Sequence, residues 1–259
     1  YLTRPQLAVM CCVLALFIWP ARSMIVKPGG SIEGPESLDN VQLESLIKAG
    51  VVKGHKTPKA QTNCKKSRCV ALTFDDGPNN KSTDIILDAL EQEDEVATFF
   101  VVGNAVSSNR GVIDRMVRDD HEIGNHSWDH KNFKNLLPAQ IRQEISLTQR
   151  AVIDAGAGAP KILRPPYGSF NLAMLKHINM PIVLWNVDPR DWHHSDPKQI
   201  AGLVAAQARS GAIIVMHDKP ATAKAAPAMI KKLKAKYKLV TVSQLLGLNK
   251  SSRGIYLGL

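Results

Sequence analysis

From Cys69 onward the chain alternates short apolar or β-branched runs with stretches of helical period, a pattern that few architectures accept. The runs cover residues 70–74, 96–102, 121–125, 161–164, 182–187, 212–216 and 239–242. Between them, Ile85, Ile86, Ala89 and Leu90 repeat at helical spacing, as do Ile141, Ile145 and Val152. Pro138 suits the first turn of the second helix, where a missing N–H costs nothing. Strands that alternate with helices pair in parallel through right-handed crossovers. The expected fold is α/β, a distorted (β/α) barrel with about seven parallel strands. An open doubly wound sheet is the alternative.

Composition agrees with a folded domain. Hydrophobic residues make up 44% and charged residues 22% of the 259, near the averages for soluble globular proteins and far from those of a disordered chain. The 17 glycines and 15 prolines follow no period, which excludes a collagen. Aromatic residues are only 5%, so aliphatic packing must build the core. A chain this long buries a core without a metal staple. A bound metal would therefore serve chemistry rather than folding.

Residues 7–19 are 13 uncharged, mostly apolar residues, preceded by Arg4 and followed by Pro20, Ala21, Arg22 and Ser23. A membrane-spanning helix needs about 20. The short apolar stretch, basic start and small residues fit a signal peptide over residues 1–23. An uncleaved anchor is the second reading, and no stable membrane insertion is expected after cleavage. Cys11 and Cys12 leave with that leader, and Cys64 and Cys69 remain. In an exported protein these two are a plausible disulfide. Zinc binding is the weaker alternative, since no second pair completes a structural site.

Residues 24–63 read as an approach segment or linker, with one short helix expected over residues 38–49. Residues 64–248 would form the main folded domain and residues 249–259 a loose tail. Without the leader, 31 Lys and Arg face 23 Asp and Glu. Lys231, Lys232, Lys234, Lys236 and Lys238 cluster near the end. Met229, Ile230 and Leu233 have the spacing of a buried side, so a solvated helix face is preferred. No nucleic-acid partner is expected, and the chain is expected to be a monomer.

Polar residues gather after the apolar runs: Thr73-Phe74-Asp75-Asp76-Gly77-Pro78, Asn125-His126-Ser127-Trp128-Asp129-His130, Arg164-Pro165-Pro166-Tyr167-Gly168, Asp188-Pro189-Arg190-Asp191-Trp192 and His217-Asp218. In a β/α barrel these clusters converge on one rim, where such barrels carry their active sites. The spacing of His126 and His130 would put both imidazoles on one side of a helical turn. Two imidazoles and a carboxylate suit Zn²⁺ or a similar divalent ion, with positions left open for water and substrate. Asp75 and Asp76 are adjacent at a strand end, so their side chains diverge. One can face a metal and the other the water beside it.

In this order the five clusters resemble the polysaccharide deacetylases of carbohydrate esterase family four, over roughly residues 69–247. The resemblance implies that Asp75 is the general base, and that Asp76, His126 and His130 are the metal ligands. Arg164 would orient the base, and the backbone N–H of Tyr167 would help hold the oxyanion. Asp191 would tune the catalytic histidine, Trp192 would wall the pocket, and His217 would be the general acid. Val215 stands where the family more often has leucine near the acetyl methyl. One divalent ion is implied, Zn²⁺ first and Co²⁺ or Mn²⁺ next. The expected protein is a secreted or cell-envelope hydrolase acting on acetylated glycan. Peptidoglycan is the first substrate, chitin or its oligomers the second and acetylated xylan the third. A catalytically inactive glycan-binding relative is the remaining alternative.

Overall fold

The computed structural model describes residues 31–32, 64 and 67–259. The expected signal peptide and the helix over residues 38–49 lie outside the described residues, as does nearly all of the approach segment. The strands are β1 (Ser31–Ile32), β2 (Cys69–Asp75), β3 (Thr98–Val101), β4 (Glu122–Asn125), β5 (Phe170–Asn171), β6 (Ile182–Val183), β7 (Ile213–His217), β8 (Lys238–Leu239) and β9 (Ile255–Tyr256). The α-helices are α1 (Ser82–Glu93), α2 (Gly103–Val106), α3 (Arg110–Arg118), α4 (Pro138–Asp154), α5 (Pro197–Gln207), α6 (Pro220–Lys234) and α7 (Val242–Leu246). None of the described helices is long and apolar enough to cross a membrane.

The barrel is present and distorted. Strands β4, β3, β2 and β7 pair in parallel in that order, and β8 adds to the foot of β2. Single bridges close the ring: Asn125 to Leu163, Leu163 to Ile182, and Val187 to Ile214. The run at 161–164, expected to be a strand, thus contributes one bridging residue. Pro160, Pro165 and Pro166 flank it, and proline lacks the N–H that a ladder needs.

Strand periodicity sets what faces the barrel interior. Along β2, Val70, Leu72 and Phe74 pack outward under the helices in one core cluster, while Ala71 belongs to the second, inner cluster. Thr73 and Asp75 share the inward parity of Ala71. Along β7, Ile214 and Met216 lie in the outer cluster, and Ile213 and Val215 in the inner one. His217 therefore points inward too, and it stands directly opposite Asp75 in the register. Neighbouring strands run about 4.7–4.9 Å apart, so a carboxylate and an imidazole from distant parts of the chain are adjacent by construction.

The C-terminal residues correct one expectation. Instead of a loose tail, Ile255, Tyr256 and Leu257 are buried, β9 pairs in parallel with β6, and Gly258 bridges Ala212. This strand continues the short β6 side of the barrel, where the ladder is thinnest. The expected disulfide is present: Cys64 is bonded to Cys69 at the start of β2. Pro138 occupies the first turn of α4, as expected.

Candidate active site

A cleft of about 580 Å³ opens at the C-terminal ends of the strands. Asp75, Asp76, His126, His130, Tyr167, Trp192 and His217 all line it. The barrel gathers seven residues spread over 143 positions of sequence because its strands all point the same way.

At its centre stand Asp76, His126 and His130, each offering one ligand atom within 4.8 Å of the other two. Asp76 Oδ1 lies 3.1 Å from His130 Nε2 and 3.5 Å from His126 Nε2. That oxygen is buried and has no hydrogen-bond partner of satisfactory geometry. Ligands held about 2.0–2.1 Å from a tetrahedral Zn²⁺ are spaced about 3.3 Å apart, which the two distances bracket. His126 Nδ1 lies 2.7 Å from the carbonyl oxygen of Arg164. Donation of its N–H there leaves the Nε2 lone pair facing Asp76, the tautomer a metal ligand needs. Burial disfavours the Asp76 carboxylate, but contacts with His126 and His130 outweigh it and hold the group well below the usual range. The donor set and its spacing fit a divalent ion.

The geometry of this pair corrects a second expectation. Residues 126–130 form no helical turn. Ser127 and His130 adopt left-handed backbone conformations, with φ of 68° and 61°. The loop is held by its own polar groups. Asn125 Oδ1 accepts from Ser127 N at 2.9 Å, and Ser127 Oγ accepts from His130 N at 3.0 Å. Glu144 Oε2, on α4, accepts from Trp128 N at 2.8 Å and Asp129 N at 3.1 Å. Sequence reasoning missed Glu144. A glutamate within an amphipathic helix carries no local mark of contacts that only tertiary packing creates.

On one flank of the triad, Asp75 is 3% exposed and Arg164 is fully buried. Arg164 Nη1 donates to Asp75 Oδ1 and to Thr73 Oγ1, both at 2.7 Å. Its Nε and Nη2 donate to the carbonyls of Val183 and Leu184, and its guanidinium lies 4.1 Å from the Phe100 ring centroid. Burial pulls the guanidinium below its ordinary pKa while Asp75 opposes the shift. A buried cation of this kind requires its carboxylate, and removing one partner of such a pair costs about 3–5 kcal/mol. Asp75 Oδ2 stays 3.9 Å from His126 Nε2, outside the closer contacts that Asp76 makes.

On the other flank, His217 Nδ1 lies 2.8 Å from Asp191 Oδ1, and His217 N donates to Asp191 Oδ2 at 2.8 Å. Thr222 Oγ1 donates to the same Oδ2. Burial works against the imidazolium, but the hydrogen bond and charge of Asp191 outweigh it and push its pKa up to about 9.

Tyr167 adopts φ 61°, and its ring meets His130 edge-on at 4.7 Å between centroids. Trp192 also lines the cleft and is 47% exposed. Val215 does not reach the cleft. It is 1% exposed within the inner core, because it precedes His217 by two residues and so lies one layer deeper along β7.

Residues 62–180 match the family model described as polysaccharide deacetylase. A peptidoglycan-N-acetylglucosamine deacetylase from Listeria monocytogenes is 38% identical over 198 residues, which are 76% of this chain and 42% of the relative. The chain thus spans about two fifths of that relative's length. A chitooligosaccharide deacetylase from Bradyrhizobium is 40% identical over 156 residues, covering 59% of this chain and 71% of the relative. Among solved structures, a family 4 acetyl xylan esterase from Clostridium thermocellum in complex with a cobalt ion has a TM-score of 0.69 at 35% identity, covering 74% of this chain and 98% of that one.

Proposed function

The chain belongs to the polysaccharide deacetylase family, and from that membership we propose that it is a secreted or envelope-associated, metal-dependent hydrolase removing N-acetyl groups from peptidoglycan. The observation that carries this reading is the metal-competent triad flanked by two separately charged pairs, Asp75–Arg164 and His217–Asp191. Residues 64–248 would be the catalytic domain, preceded by the approach segment and the leader over residues 1–23. The name of the Listeria relative supports peptidoglycan as substrate, and the name of the Bradyrhizobium relative makes chitin oligomers the second reading.

Asp76, His126 and His130 would hold the ion. Zn²⁺ is the first candidate because two imidazoles and a carboxylate suit it. Co²⁺ is the second, in view of the cobalt in the Clostridium thermocellum relative. When bound, such an ion supplies Lewis acidity, acidifying water and polarising a carbonyl. Asp75, oriented by the Arg164 Nη1 donor, would take the proton of the attacking water. The Tyr167 N–H would donate to the oxygen that gains charge, a preorganised contact worth about 3–4 kcal/mol in other hydrolases. His217, cationic at neutral pH, would protonate the departing nitrogen. Trp192 would wall the acetyl pocket.

The test is acetate release from peptidoglycan, chitin oligomers and acetylxylan, with and without added Zn²⁺ or Co²⁺. The expected result is metal-stimulated release, fastest on peptidoglycan. No release from any of the three with metal supplied would end the reading.

The His217–Asp191 pair makes a pH prediction. A general acid must be protonated, so kcat/KM should fall as pH rises through the His217 pKa of about 9. In Asp191→Asn the charge that raises this pKa is gone, and the alkaline limb should move to lower pH, toward the ordinary histidine value of about 6.5. A pH–rate profile in which both proteins share one alkaline limb would remove Asp191 from this role.

A further inference from the structure

A second cleft, of about 570 Å³, runs along α4 away from the triad's lining residues. Arg142, Ile145, Arg150 and Ile153 line one wall, and His177 and Met180 the other. With Ser146 and Gln149, which also line it, the α4 positions are spaced 3, 1, 3, 1 and 3 apart, so they follow one face of the helix. At 1.5 Å per residue, Arg142 and Arg150 stand about 12 Å apart along it.

The charge is of one sign. No Asp or Glu lines this cleft. Arg142 and Arg150 are exposed, and neither joins any of the ion pairs among the described residues. Arg115 shows what neutralisation looks like in this protein, with Asp84, Asp88 and Glu91 all within 3.2 Å. Arg142 Nη1 instead lies 3.5 Å from His177 Nδ1. Between the two cations the helix presents Ile145, Ser146 and Gln149 to the cleft, and beyond Arg150 the side chain of Ile153 is 46% exposed. A guanidinium offers a planar fork matched to carboxylate. Two unneutralised forks about 12 Å apart along one helix match a chain that carries repeated carboxylates.

From this arrangement we propose that the α4 cleft is an exosite for a carboxylate-bearing strand of the polymer on which the active site works. The inference rests on the proposed peptidoglycan substrate, whose peptide stems carry carboxylates that chitin lacks. It adds a site that takes no part in the chemistry. The cleft would hold the protein on an anionic, insoluble network while the barrel rim acts on a neighbouring sugar.

The test uses the full chain loaded with Zn²⁺ and the double variant Arg142→Glu/Arg150→Glu. The probe is insoluble peptidoglycan stripped of phosphate-containing polymers, and binding is read by co-sedimentation. Wild-type binding should weaken with rising salt. The variant should bind at least about tenfold less at low salt and respond little to salt, as expected for surface charge contacts. Acetate release from a neutral chitin tetramer should be equal in the two proteins, which also reports that the variant is folded. If the reversal disturbs folding, Arg142→Gln/Arg150→Gln provides the same comparison with a smaller loss. Equal sedimentation of wild type and variant would overturn the exosite. So would binding only to walls that retain their phosphate polymers. A wild type that sediments normally but releases no acetate from any substrate would instead count against the catalytic reading, leaving the exosite result standing.

Discussion

Asp75→Asn is expected to lower turnover by about 10²- to 10⁴-fold, the usual contribution of a positioned general base, while the divalent ion still binds. The separation follows from the geometry. Asp76 Oδ1 approaches both imidazoles at 3.1 and 3.5 Å, whereas the closest such approach of Asp75 is 3.9 Å. Asparagine keeps an oxygen for the Arg164 Nη1 donor but no basic lone pair of comparable strength. Thermal unfolding should report some loss, because the fully buried guanidinium loses its counter-charge. Steady-state acetate release beside a Zn²⁺ titration of the same preparation checks both halves. If the variant loses its metal, Asp75 is a ligand and the base lies elsewhere.

His126→Ala should behave in the opposite way, with metal affinity and activity lost together. His126 is 2% exposed and its ring is fixed by the contact of Nδ1 with the Arg164 carbonyl, so no neighbour can swing in to replace its Nε2. The clearest readout is thermal. An ion present at 100 times its Kd stabilises the native state by about 2.7 kcal/mol, so Zn²⁺ should raise the Tm of the wild type and leave that of the variant unmoved. Chelation of the wild type should stop acetate release, and restoring Zn²⁺ should recover it. A chelated wild type working at its original rate would refute metal dependence altogether.

Much of the site is legible in the chain because its chemistry sits in contiguous clusters. Asp75 and Asp76 are adjacent, His126 and His130 lie four apart, and His217 ends an apolar run. Other parts leave no comparable trace. Glu144 holds the His126–His130 loop through two backbone N–H groups, and Thr222 holds Asp191. Both reside in helices whose local pattern reports only burial. The His126–His130 spacing looks helical, yet left-handed residues at 127 and 130 bring the rings together. Backbone conformations of that kind in non-glycine residues are set by surrounding hydrogen bonds rather than by residue type.

Periodicity alone determined that Asp75 and Asp76 point apart at the end of their strand, because a period of two sends alternate residues to opposite sides. It also implied the parallel α/β plan, since strands interleaved with helices have few other ways to pair. Only the tertiary structure decided how the ring closes, through single bridges at Leu163 and Val187, and that the last residues form a strand beside β6. Those choices are made by backbone N–H and C=O groups, which every residue but proline offers alike, so no side-chain pattern announces them.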